Sequence, residues 1–145
     1  MDYLIEQLQS TKIKFKSSPY WGIYFRKLWE EAFVSHLKQS EKEKIHLYGD
    51  RYFCGYLWHV FSYDRRPHLL QTAANDAFDA VKKSKCYIFY QHSANVLTVE
   101  QASTLKAAQF ANEEDIYVVD ENFTWTYVVT HESHCGPYFS NADNY

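Results

Sequence analysis

His131-Glu132-Ser133-His134-Cys135 is the densest set of potential ligands and nucleophiles in the chain. Zinc prefers imidazole nitrogen and thiolate sulfur, so His131, His134 and Cys135 are the metal-ligand candidates if the segment turns tightly. No second paired motif accompanies them. Cys54, His59, Cys86 and His92 are scattered, so convergence depends on the fold, and no metal or other cofactor is expected. The His-Glu pair also lacks the second His four residues on that a helical zinc-protease site uses. A thiolate–imidazole pair is the other chemistry these residues offer: Cys135 beside His134, or Cys54 near His59, with Glu132 orienting the base. Against it, Cys54 and Cys86 sit in apolar runs, where Cys is usually an inert core residue. No nucleophile elbow and no Gly-rich phosphate loop is present.

A second constellation is acidic. Glu113, Glu114, Asp115, Asp120 and Glu121 fall in a stretch with no Lys or Arg after Lys106. Residues 1–106 hold all 15 Lys/Arg and 11 of the 18 acids, for +4; residues 107–145 hold the other 7 acids, for −7. Such an end repels phosphates and attracts basic surfaces, so nucleic acid is not an expected partner. With Glu113–Asp115 entering a strand and Asp120–Glu121 at its far turn, the two groups stand roughly 15 Å apart. Trp125, Tyr127 and Tyr138 would then be apolar anchors beside a charged rim.

The elements that must position these residues follow from spacing. At 145 residues the chain is expected to be one globular domain over 1–145, with 1–18 an N-terminal extension or edge strand. Aromatics at 19% and 13 Tyr suit half-buried sheet faces. Three Cys without framework spacing point to reduced thiols in a cytoplasmic protein, and the start of the chain has no secretory pattern. No apolar run reaches the ~20 residues of a membrane helix, so no membrane role is expected.

Residues 2–9 suit a short helix, and Lys12-Ile13-Lys14-Phe15-Lys16 alternates as an edge strand guarded by lysines. Ser18 and Pro19 are expected to open a helix over 20–38, built on Trp21, Tyr24, Phe25, Leu28, Trp29, Phe33 and Leu37. Ser40-x-x-Glu43 resembles a capping box. The apolar run 52–63 is assigned to a helix, as is 72–83. In the second half, 86–90 pairs with 96–99, 102–111 forms a short helix, and 116–119 pairs with 124–129 through a turn with Asn122 left-handed. Helices first and strands later predict an α+β fold: N-terminal helices on one face of a mainly antiparallel sheet built largely from the C-terminal half.

The stretches CGYLWHVFSY (54–63), KCYIFYQHS (85–93), EEDIYVVDENFTWTYVVTHE (113–132) and GPYF (136–139) resemble a small family of bacterial proteins classed as domain of unknown function 4275. The likeness runs from about Trp21 to Phe139. It implies a single cytosolic bacterial domain and carries over no activity, cofactor or catalytic residue.

The leading expectation is a protein-binding module, of immunity, antitoxin or effector-inhibitor type, that meets a basic partner through the acidic C-terminal region. The alternative is a small enzyme or metal-binding protein that uses the His131–Cys135 segment. An aromatic-lined ligand sensor is a third reading.

Overall fold

The computed structural model describes residues 1–52 and 54–143. Its helices are α1 (Asp2–Ser10), α2 (Gly22–Phe33), α3 (Gln39–Lys44), α4 (His59–Ser62) and α5 (Thr72–Ala80). Its strands are β1 (Lys16–Ser18), β2 (Leu69–Leu70), β3 (Cys86–Tyr90), β4 (Val96–Val99), β5 (Ile116–Asp120), β6 (Trp125–Val129) and β7 (Tyr138–Asn141). They form one antiparallel sheet in the order β1-β4-β3-β5-β6-β7-β2. This is the α+β class expected, with most strands in the C-terminal half. Among the described residues no helix is long and apolar enough to cross a membrane.

The helices cover both faces of the sheet rather than one. Ile116, Val118, Trp125, Tyr127 and Val129 pack with α1, α5 and a 3-10 turn (Ala107–Phe110). Tyr117, Val119 and Val128, from the other face of the same strands, pack with α2, α4 and the chain around Ile45 and Leu47. Two buried faces explain why these strands show no polar alternation, as in sheets sandwiched between helices. Burial of each Leu, Val or Phe side chain contributes about 1.5–3 kcal/mol, so the sandwich is the main source of stability. Among the described residues the buried side-chain polar atoms are satisfied: the Trp29 indole donates to Thr126 Oγ1 at 2.8 Å, and that hydroxyl donates to the Val118 carbonyl at 3.1 Å.

Several boundaries differ from the sequence reading. Ser17 and Ser18 pair with Leu97 and Val96 in the edge strand, so α2 starts later, at Gly22. Its entry is fixed by tertiary contacts: Gly22 N–H donates to Ala94 O at 2.9 Å, and a Cβ on Gly22 would lie 2.3 Å from Ser93 O. Arg26 ties the helix to the β3–β4 turn through Tyr90 O and Ser93 O, at 2.9 and 2.7 Å. The helix ends at Phe33 instead of near 38. Glu41 accepts from the Lys38 N–H at 3.0 Å, so the cap of α3 lies two residues before Ser40. Only 59–62 of the run 52–63 is helical, because 54–58 runs irregularly across the sheet end; Phe53 lies outside the described residues. The left-handed position in the β5–β6 turn falls on Phe123 (φ 53°), not Asn122, since the Asp120 carboxylate accepts from Thr124 N at 2.6 Å and Trp125 N at 3.2 Å. Strands β2 and β7 were not expected.

Candidate metal centre

After β6 the chain leaves the sheet and turns back through 130–137 before β7. Thr130 organises the turn: its hydroxyl reaches the carbonyls of Glu132, at 3.0 Å, and Cys135, while Cys135 N–H donates to Glu132 O at 2.9 Å. Gly136 closes it at φ 112°, a conformation strained for any residue with a Cβ. That Cβ would also crowd Thr130 Cγ2 at 3.3 Å. Pro137 follows through a cis peptide bond.

This turn brings Glu132, His134 and Cys135 together. One carboxylate oxygen, one imidazole nitrogen and one sulfur lie within 4.8 Å of one another. Glu132 Oε2 is 3.2 Å from His134 Nε2. A tetrahedral zinc ion with bonds of about 2.0–2.3 Å would separate its ligands by about 3.3–3.8 Å. The cluster therefore closes on an ion with about 1 Å of side-chain movement, which His134, 77% exposed, is free to make.

His131 does not join that triad; it supports it. Its Nδ1 lies 3.0 Å from Asp115 Oδ1, and its backbone N–H donates to the same oxygen at 3.2 Å. The Trp58 indole donates to Oδ1 as well, at 2.9 Å. The hydrogen bond to Asp115 raises the His131 pKa above its ordinary value, with Asp115 and Glu132 charges adding to it. The ring lies against Tyr56 and Trp58, with centroids 5.0 and 5.8 Å away, and its Nε2 faces Glu132 Oε1 at 3.5 Å. Asp115, His131 and Glu132 thus form a chain that leads from the buried end of β5 to the ligand cluster. Groups of this kind behind a carboxylate fix its position, and a metal site commonly places one behind a ligating carboxylate.

Asp115 can hold this position because aspartate tolerates the left-handed conformation it adopts, φ 52°. The irregular segment 54–58 is locked above it. Trp58 N–H donates to the Tyr117 hydroxyl at 3.2 Å, and Leu57 N–H donates to Gln91 Oε1 at 3.0 Å. Tyr56 also meets the rings of His59 and His92, each at 5.5 Å. Burial holds the His59 pKa below its ordinary value, and its Nδ1 bonds to His46 O at 2.9 Å. His131, Glu132 and Ser133 also line a cleft of about 710 Å³, together with Asp79, Glu113 and Glu114.

The acidic stretch is not an outward-facing surface. Glu113 is buried, accepts from the Tyr90 hydroxyl and lies 3.8 Å from the amino terminus. Asp115 is buried in the network just described, and Asp120 is turned in on its own hairpin. Only Glu114 and Glu121 of the five are exposed. Trp125, Tyr127 and Tyr138 are 4%, 1% and 3% exposed and fill the two cores, so they cannot anchor a partner. They pack inward because both sheet faces are covered. Cys54 is exposed rather than core, whereas Cys86 is buried and its thiol is pushed up to about 12 by burial.

Over residues 1–139 the chain matches the family model described as Domain of unknown function (DUF4275). The chain belongs to that family. No curated protein and no solved structure matches it. Of the candidate cluster, the sequence pointed to His131, His134 and Cys135; the structure brings Glu132 in place of His131, which bonds to Asp115 instead. The Thr130-x5-Gly136 frame was the signal for a tight turn.

Proposed function

We propose that this protein is a metal-binding domain whose 130–137 turn holds a divalent transition-metal ion, zinc in type, through Glu132, His134 and Cys135. The observation that carries this reading is the approach of three chemically different donor atoms to within 4.8 Å on a turn pinned at both ends. Mixed oxygen, nitrogen and sulfur donors suit zinc better than magnesium or calcium, which select oxygen alone. Three protein ligands leave a fourth position open, the pattern of sites that bind water or a substrate atom. His134, 77% exposed, leaves that position open to solvent.

The acidic docking reading retains only Glu114 and Glu121 among its carboxylates, and the geometry does not favour it. The test of the metal reading is zinc titration of purified protein by calorimetry, with His134→Ala and Glu132→Gln beside the parent. One ion per chain, with affinity reduced at least about tenfold in each variant, supports the site. Equal binding in all three proteins overturns it.

A further inference from the structure

A separate surface lies at the opposite edge of the sheet. Lys12, Lys14 and Lys16 line a groove of about 920 Å³ along β1, together with the hydroxyls of Thr98, Ser103 and Thr104. Among the described residues none of these three lysines has an ion-pair partner. Beyond the end of β1, Tyr20, Trp21, Ile23 and Tyr24 are 88%, 53%, 75% and 50% exposed.

The two features meet at Lys16. Lys16 pairs with Thr98, and Thr98 pairs with Tyr87, so their side chains stand in one row across three strands. From Tyr87 a line of rings leads outward through Phe25 and Tyr24 to Trp21, with centroid separations of 4.7, 5.9 and 5.5 Å. The row therefore begins at the Lys16 ammonium, beside Lys12 and Lys14 on the groove, and ends at exposed aromatic rings.

We propose that this edge binds single-stranded nucleic acid, with phosphates on Lys12, Lys14 and Lys16 and bases stacked on Trp21 and Tyr24. Single strands are held by this combination: cations track the backbone, and rings take bases without regard to sequence. The net charge of −3 argues against nucleic acid for the chain as a whole. The edge is locally basic, however: Glu100 also lines the groove but faces Lys85 at 3.9 Å, and the exposed acids after Lys106 are Glu114 and Glu121, which flank β5 three strands away, and Asp143, which follows β7. A concave groove with hydroxyl donors fits a narrow strand better than a flat lipid surface. It also gives exposed rings beside an edge strand a use that the core does not supply.

The test is binding of a labelled oligothymidylate by fluorescence anisotropy, with tryptophan emission followed in parallel. Trp29, Trp58 and Trp125 are 0%, 2% and 4% exposed, so quenching reports on Trp21. Three phosphates neutralised give a salt slope of about −2, a loss of about 20-fold between 50 and 200 mM salt. The expected result is quenching with that slope. A Lys12→Gln/Lys14→Gln/Lys16→Gln variant should lose the slope, and a Trp21→Ala/Tyr24→Ala variant should keep it while binding at least about fivefold more weakly. All five positions are exposed, and circular dichroism verifies that the variants fold. The proposal is overturned by absence of binding at 50 mM salt, by equal affinity for duplex DNA, by tripolyphosphate binding as tightly as the oligonucleotide, or by Trp21 responding to phosphatidylserine vesicles and not to the oligonucleotide.

Discussion

Replacing Asp115 with Asn should loosen the metal turn while keeping the fold. The carboxylate oxygen Oδ1 accepts from Trp58 Nε1 at 2.9 Å and from His131 N at 3.2 Å, and it lies 3.0 Å from His131 Nδ1. An asparagine oxygen retains the first two contacts and tolerates φ 52°. Its amide nitrogen, a donor only, takes the place of Oδ2 at 3.1 Å from His131 Nδ1, so the ring keeps one neutral acceptor in Oδ1 and loses the carboxylate charge that favours its protonated form. The difference between a charged and a neutral acceptor is worth about 1 kcal/mol. For a chain of this size that lowers Tm by about 3–5 °C. Loss of the support for Glu132 should also weaken zinc about 10–100-fold. Scanning calorimetry without metal measures the first effect, nitrogen-15 spectra of the His131 ring the second, and zinc titration the third. An unchanged Tm together with an unchanged zinc affinity would refute the chain from Asp115 through His131 to Glu132.

Gly136→Ala should destabilise the protein by about 1–2 kcal/mol, because φ 112° is strained with a Cβ and Thr130 Cγ2 stands 3.3 Å away; a denaturant midpoint equal to that of the parent would contradict the turn geometry. Burial is the first cause that raises the pKa values of Tyr90, Tyr117, Tyr127 and Tyr138 in the folded protein. Their contribution is complete below the unfolded value near 10 and is lost as pH rises above it, at up to about 1.4 kcal/mol per pH unit for each fully protected tyrosine. Urea unfolding at pH 9 and 11 should show that loss, and equal stability at the two would contradict it. His59 is shifted the other way, mainly by burial, so its contribution is present above about pH 6.5 and declines as pH falls through the folded value. A His59→Gln variant should therefore lose less stability than the parent between pH 7 and 5, and parallel acid limbs would rule this out.

The sheet hairpins were legible because β3 with β4 and β5 with β6 are neighbours in sequence, joined by turn residues that announce themselves. The lysine-rich segment 12–16 lies at the sheet edge, but the edge strand itself is Lys16–Ser18 and residues 13–15 form no ladder, because its partner β4 lies about 80 residues on and spacing cannot set that register. What escaped was whatever tertiary contact decides. Run 52–63 is apolar enough for a helix, yet Gln91, Tyr117 and Asp115 claim the N–H groups of Leu57 and Trp58 and the Trp58 indole, and the chain stays irregular. The acidic stretch read as a surface because charge is usually solvated. Glu113 and Asp115 instead take donors from Tyr90, Trp58 and His131, partners 16 to 57 residues away that spacing cannot show. The His/Cys tail is visible as ligand chemistry in the sequence, where spacing gives Glu132 only the role of an orienting carboxylate.

Cobalt substitution tests the metal assignment most directly, because a thiolate ligand announces itself in the spectrum. With Co²⁺ added to the reduced protein, Glu132, His134 and Cys135 should give one ion per chain, a sulfur-to-cobalt charge-transfer band, and visible bands of a four-coordinate ion. Cys135→Ser should abolish the charge-transfer band and Cys54→Ser should leave it intact. A protein that takes up no cobalt, or a band that survives Cys135→Ser, would contradict the assignment.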